Sequence, residues 1–220
     1  MKDVVIFGTG EFAQVAHVYL RDDSAHRVTA FVVHERHLAE RELAGLPIVP
    51  FESLERTHPP DANAMFVAVG FSRVNQARAE VFDECLSQGY ELISYVSSRA
   101  MVSDGVSMGR NCFVFEGNVL QPFVTLGDDV ILWSGNHIGH HARIEDHVFV
   151  ASHAVVSGSV TIGHHSFVGV NATFRDGVTV APRSVIGAGA LIMKDTVEGG
   201  VYAVHGTKER DVKSWDLPGF

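Results

Sequence analysis

Cationic side chains are scarce: 17 Lys and Arg stand against 26 Asp and Glu in 220 residues, a formal charge of −9. Binding to nucleic acid runs on clustered Lys and Arg, so a phosphate-coated polymer is excluded as the main partner. Small anions are not excluded, because backbone amides and a few cations suffice for them. Cysteine is nearly absent: Cys85 and Cys112 have no paired spacing, so neither a disulfide framework nor a cysteine zinc site is indicated. No apolar run approaches the ~20 residues of a membrane span. Met1 leads straight into the strand-like VVIFG, without a basic stretch and apolar segment before it, and the cytoplasm is the expected location. What remains, 46% apolar and 20% charged, describes a globular chain with a real core.

The chain is written in two grammars. Up to about residue 97, strand-like runs (VVIFG at 4–8, VTAFVV at 28–33, LPIV at 46–49, AMFVAVG at 64–70, ELISYV at 91–96) alternate with helical stripes. Phe12, Val15, Ala16, Tyr19 and Leu20 form one amphipathic face. Val74, Ala77, Val81, Phe82 and Cys85 form another behind Ser72, a residue type suited to capping, and Cys85 reads as a small core residue there. This alternation predicts a small parallel α/β domain.

From Val102 to Ile192 every sixth residue is aliphatic, Met or Phe, sixteen positions without a phase break. A second series two residues earlier, from Ala100 to Ala190, is mostly small or apolar. A period of six fits neither a helix nor a half-buried strand. It fits a short strand and a corner, repeated three times per 18-residue turn of a triangular coil. Each hexad buries nothing alone; stacked coils create the core. Asn118 and Asn136, 18 apart in the inward series, are expected to form a hydrogen-bonded ladder.

These hexads resemble the hexapeptide-repeat acyltransferases, whose coils wind left-handed. With the α/β front half, the chain resembles the sugar acetyltransferases of sialic acid, bacillosamine and perosamine synthesis. The expected architecture is therefore a Rossmann-like nucleotide-sugar-binding domain at 1–97, a left-handed parallel β-helix at 98–208 and a tail at 209–220. The resemblance implies a homotrimer that uses acetyl-CoA and no metal to acetylate an amino sugar carried on a nucleotide, for surface polysaccharide such as O-antigen. An O-acetyltransferase acting on a sugar without a nucleotide, a zinc hydro-lyase and a non-catalytic scaffold are the alternatives. Nothing in the residues separates nitrogen from oxygen as the acceptor.

Gly8-Thr9-Gly10-Glu11-Phe12-Ala13 reads G-x-G-x-x-A between a strand and a helix, where a phosphate can rest on a helix N-terminus, although a plain tight turn has the same look. Fewer than 100 residues leave no room for the two halves of a dinucleotide fold. The resemblance assigns the loop to the nucleotide, with His34 standing near where relatives carry acids for a uracil base. Gly70 and Ser72, after the fourth strand, lie where ligands of open α/β sheets bind.

Seven of the 13 histidines fall between 137 and 165. In NHIGHH (136–141) the anchor is Ile138, so His140 and His141 project from a corner. Acetyl transfer needs a base to take the acceptor's proton, and imidazole titrates near neutral pH. The resemblance makes His140 that base and places His141 where an acid is usual; His141 as the base is the alternative. It also implies that the N–H of Gly158, one coil on, stabilises the oxyanion. Gly158, Gly187, Ala188 and Lys208 are then the expected contacts of acetyl-CoA. His147, His153, His164 and His165 read as corner decoration, since their spacings do not match the histidine pairs of the β-helical carbonic anhydrases and align only two ligands. Trp215 and Phe220 carry no functional signal.

Overall fold

Residues 2–209 and 211–218 are described by the structure, a computed structural model. Phe220, and the tail expected at 209–220 in part, lie outside these residues. The first sheet contains β1 (Asp3–Phe7), β2 (Val28–Val33), β3 (Glu42–Leu43), β4 (Leu46–Pro50), β5 (Asn63–Val67) and β6 (Glu91–Leu92), in the order β3-β4-β2-β1-β5-β6. All neighbours are parallel except the short β3/β4 hairpin. Helices α1 (Glu11–Asp22) and α2 (Gln76–Ser87) cover it, α1 burying Ala13, Ala16 and Leu20 and α2 burying Val81, Phe82 and Cys85. Chain order reverses at β1, with β2 on one side and β5 on the other, which opens a crevice at their carboxyl ends.

Two sequence expectations change here. Helix α2 starts at Gln76, and its N-terminal neighbour is Asn75 in a left-handed conformation rather than Ser72. Arg73, Val74 and Asn75 all have positive φ, so the chain makes a left-handed turn before the helix. The run ELISYV is not one strand: Glu91–Leu92 closes the first sheet and Tyr95–Val96 opens the coil, pairing with Phe113–Val114.

The coil consists of two-residue strands in three parallel sheets, with partners 18 residues apart, as in His137↔Val155. In each strand the second residue points inward. From Cys112 to Ile192 both inward series are buried, and only the first turn, with Val102 43% exposed, lies open. The first residue of each strand points outward, and the three faces differ. The first face carries Tyr95, Phe113, Ile131, Phe149 and Phe167; the second Met101, Val119, His137, Val155, Thr173 and Leu191; the third Ser107, Thr125, Arg143, Thr161 and Thr179.

The aromatic first face is where the α/β domain sits. Phe12 and Tyr19 of α1 meet Phe113 at 5.9 and 6.1 Å between ring centroids, and Phe71 meets Phe149 and Phe167 at 5.1 and 4.9 Å. A buried polar cluster pins the same junction. Arg78 and Asp129, both fully buried, pair at 2.8 Å; Arg78 also donates to the carbonyl of His147, and Asn75 to those of His165 and Ser166. Asn111 bridges Val67 of β5 and Asp129.

Each four-residue corner places its third residue in the left-handed region, where glycine is free of strain and Asn, Asp and His are the side chains most often tolerated. His141, His147, His153 and His165, with φ of 57° to 61°, occupy such slots. Asn118 and Asn136 are buried, but they bond to corner backbone rather than to each other: the Asn118 amide donates to the carbonyls of Phe115 and Trp133, and Asn136 Oδ1 accepts from Ala154 N–H.

Candidate active site

His140 lies on the edge between the second and third faces, directly opposite the face that carries the α/β domain. Its backbone N–H donates to Gln121 Oε1 at 2.8 Å and its carbonyl accepts from Ser159 N–H. Its exposed ring lies over Gly158: a Cβ added there would stand 2.6 Å from His140 Cε1 and 2.8 Å from Nε2. Glycine at 158 therefore makes room for the imidazole. His140 and His141 face each other through Nδ1 atoms 3.2 Å apart, so one ring donates and the other accepts, and His141 packs on Phe123 at 4.8 Å.

His140, His141 and Gly158 thus come together as expected from their spacing, but the Gly158 N–H is not free. It donates to Asp176 Oδ1 at 2.8 Å, one rung of a pattern in which corner amides are capped by carboxylates 18 residues on, as in Arg110 to Asp128 and Asp128 to Asp146. Gly187 and Ala188 fall on another edge, between the first and second faces, and Lys208 on the exposed segment beyond the last strand. A single chain does not gather them with His140. Gln121 and Asp176 were missed in the sequence; their signal is the spacing of 19 residues before His140 and 18 after Gly158.

In the front domain, Gly8 has φ of 123° and a Cβ there would meet Ala68 O at 2.7 Å, so the turn from β1 presses on the end of β5 and only glycine fits. Gly10 precedes α1 with open space around it. Thr9 lines a cavity of about 240 Å³ together with Gln14, Val33, His37 and Glu40. Gly70 accepts from Arg78 at 3.5 Å, and Ser72 is exposed just before the left-handed turn. His34, expected to face a base, is turned elsewhere: Glu52 and Glu84 hold its two nitrogens at 3.2 and 3.1 Å, with Phe7 and Phe51 edge-on. The carboxylates after β4 and on α2 claim it, and His37 and Glu40, three and six residues later, reach the cavity instead.

The decorative reading of the remaining histidines also changes. His147 is half-buried with Nδ1 2.9 Å from Asp129, and its ring lies 4.7 Å from that of His165. Burial, and then the nearby His147 and His164, push His165 down to about 4. These two belong to the junction between the domains. Among the described residues no three His, Cys, Asp or Glu side chains are placed to hold a metal ion, and no helix among them is long and apolar enough to cross a membrane.

Comparison with known proteins fits this geometry. Residues 123–158 match the bacterial transferase hexapeptide model (six repeats), and residues 159–194 the hexapeptide repeat of succinyl-transferase. The coil therefore carries the hexapeptide repeats of these transferase families over residues 123–194. The coil is a left-handed parallel β-helix, and it follows the α/β domain. Perosamine N-acetyltransferase from Caulobacter crescentus, in complex with CoA and GDP-perosamine, is 25% identical with a TM-score of 0.83, over 93% of this chain and 95% of that one. Its variant with one histidine replaced by asparagine, bound to the same two molecules, superposes with a TM-score of 0.85. The acetyltransferase domain of PglB from Neisseria gonorrhoeae is 24% identical, with a TM-score of 0.81 over 93% of this chain and 97% of that one, and speaks for the fold alone. No curated protein sequence matches this acyltransferase.

Proposed function

We propose that this enzyme transfers the acetyl group of acetyl-CoA to the amine of a nucleotide-linked amino sugar, with His140 as general base. The observation that carries the assignment of the base is the seat of the His140 ring over Gly158, on an exposed edge of the coil. His141 lies in the left-handed slot, packs on Phe123 and offers its Nδ1 to His140. When His140 donates from Nδ1 to His141, its Nε2 keeps the lone pair that a base needs. The acceptor nitrogen attacks the thioester carbonyl as Nε2 removes its proton. The tetrahedral intermediate then collapses, the C–S bond breaks, and the coenzyme A sulfur leaves with that proton. The Gly158 N–H serves the oxyanion once Asp176 releases it.

The site is completed by a second copy. His140 stands opposite the face that carries its own chain's nucleotide domain, whereas the second face beside it is mostly apolar, with Met101 69%, Val155 40% and Leu191 64% exposed. Packing of that face against a neighbour in a closed trimer brings another copy's corners to His140, and with them the coenzyme A contacts proposed at Gly187, Ala188 and Lys208. The α/β domain holds the nucleotide at Gly8, Thr9, Gly10, Gly70 and Ser72. The donor is a cytoplasmic metabolite, which places the enzyme in the cytoplasm, making precursors for surface polysaccharide.

The test is thiol release from acetyl-CoA with nucleotide-linked amino sugars, the product being checked for one added acetyl group on nitrogen. His140→Ala is expected to lower kcat by ~10²–10⁴. Near-normal turnover by that variant would remove His140 from the role of base.

A further inference from the structure

We infer that the cavity beside the glycine loop is a pocket for guanine and that Glu40 is its specificity-determining residue; this rests on the nucleotide-sugar reading above. The cavity, about 240 Å³, is smaller than the ~300–1,000 Å³ of pockets that enclose whole ligands. It therefore suits a base, with the ribose and phosphates lying outside it along the loop and the N-terminus of α1. Val33, Leu43 and Ile48 supply apolar walls for the faces of a ring, while Gln14, His37 and Glu40 supply polar groups for its rim.

Glu40 decides among the bases. Glu52 and Glu84 are occupied by His34, whereas Glu40 forms no ion pair among the described residues and lines the cavity. A carboxylate offers two adjacent acceptors and no donor. Only guanine presents two adjacent donors on its pairing edge, N1–H and the exocyclic amine, so both oxygens are matched in a bidentate, charge-assisted contact. Uracil and thymine present one donor between two carbonyl oxygens, and would set the second carboxylate oxygen against a like charge. Adenine and cytosine present an amine beside a bare ring nitrogen, with the same conflict. The Gln14 amide can donate to O6, which only guanine among the purines carries.

The experiment is titration calorimetry of the full-length enzyme with GDP, UDP, dTDP and ADP, repeated on Glu40→Gln. Glu40 is exposed, so the substitution leaves the fold intact, while the amide replaces one acceptor by a donor. The expected result is that GDP binds tightest and that Glu40→Gln weakens GDP about ten- to hundredfold while UDP and dTDP bind as tightly as before or tighter. Tightest binding of UDP or dTDP, or an unaltered GDP affinity in Glu40→Gln, overturns the guanine assignment and leaves the nucleotide reading standing. Failure of all four to bind brings down the nucleotide reading itself, and the guanine pocket with it.

Discussion

Gly158→Ala isolates the seat of His140 from everything else at the edge. The added methyl would stand 2.6 Å from Cε1, 2.8 Å from Nε2 and 3.1 Å from Nδ1 of that ring, and these are its three nearest neighbours. Carbon atoms rest about 3.5 Å apart or more, so the imidazole must move by roughly 1 Å. Only the Nδ1 contact with the exposed His141 holds it, so the ring can swing outward. The backbone at 158 is outside the left-handed region, so alanine brings no strain, and its N–H still reaches Asp176. Stability is therefore expected to stay level or to rise by a few tenths of a kcal/mol through the stiffer unfolded chain. A displacement of about 1 Å in a catalytic group costs ~10²-fold, or about 2.7 kcal/mol of transition-state stabilisation. Thiol-release kinetics on Gly158→Ala should show that fall in kcat with an unchanged melting temperature. In a His140→Ala background the same substitution should cost almost nothing more, since the ring it displaces is gone. A further hundredfold loss there, or a folded Gly158→Ala enzyme with wild-type kcat, would refute the argument that the glycine acts by seating the histidine.

Arg78→Met leaves the buried Asp129 carboxylate to Asn111 and His147 without its guanidinium, and should cost about 3 kcal/mol in chemical denaturation, with Arg78→Met/Asp129→Leu recovering part of it. A loss below about 1 kcal/mol would show that the two domains do not depend on this pair. His165 binds its proton at about 4 in the fold, against 6.5 as a free side chain. The unfolded chain therefore takes up a proton between those values that the native chain refuses, and stability falls as pH drops from 6.5 towards 4. His165 is partly open to solvent, which limits this to about 1 kcal/mol. His165→Asn, suited to the left-handed slot, should flatten the pH dependence of Tm across that window; an unchanged slope would assign the acid sensitivity to other groups.

The inward code of the coil was legible because one residue in six must be apolar whatever lies outside, and that demand repeats sixteen times from Val102 to Ile192. The outward code was equally regular, yet its period is 18: Tyr95, Phe113, Ile131, Phe149 and Phe167 form the aromatic seat of the front domain, visible only once the coil is divided into three faces. His140 and Gly158 could be paired by counting, since stacking sets their distance in sequence. The capture of His34 by Glu52 and Glu84 could not, because it joins the end of β2 to a 3-10 turn and to α2 through side-chain geometry that no local pattern records. Likewise the histidines in left-handed slots look like chemistry in sequence and are in part a backbone requirement.

The two codes have different repeat lengths, and this governs how such a chain can change length. Inserting or deleting one hexad ahead of residue 137 would leave every anchor pointing inward and the core intact. It would also turn everything downstream by one face, moving the later aromatic rows out from under the front domain and carrying His140 to a different edge. Only steps of 18 preserve both frames. A duplication of six is thus invisible to folding and fatal to assembly, so length variation in the coil is confined by its outside rather than by its core.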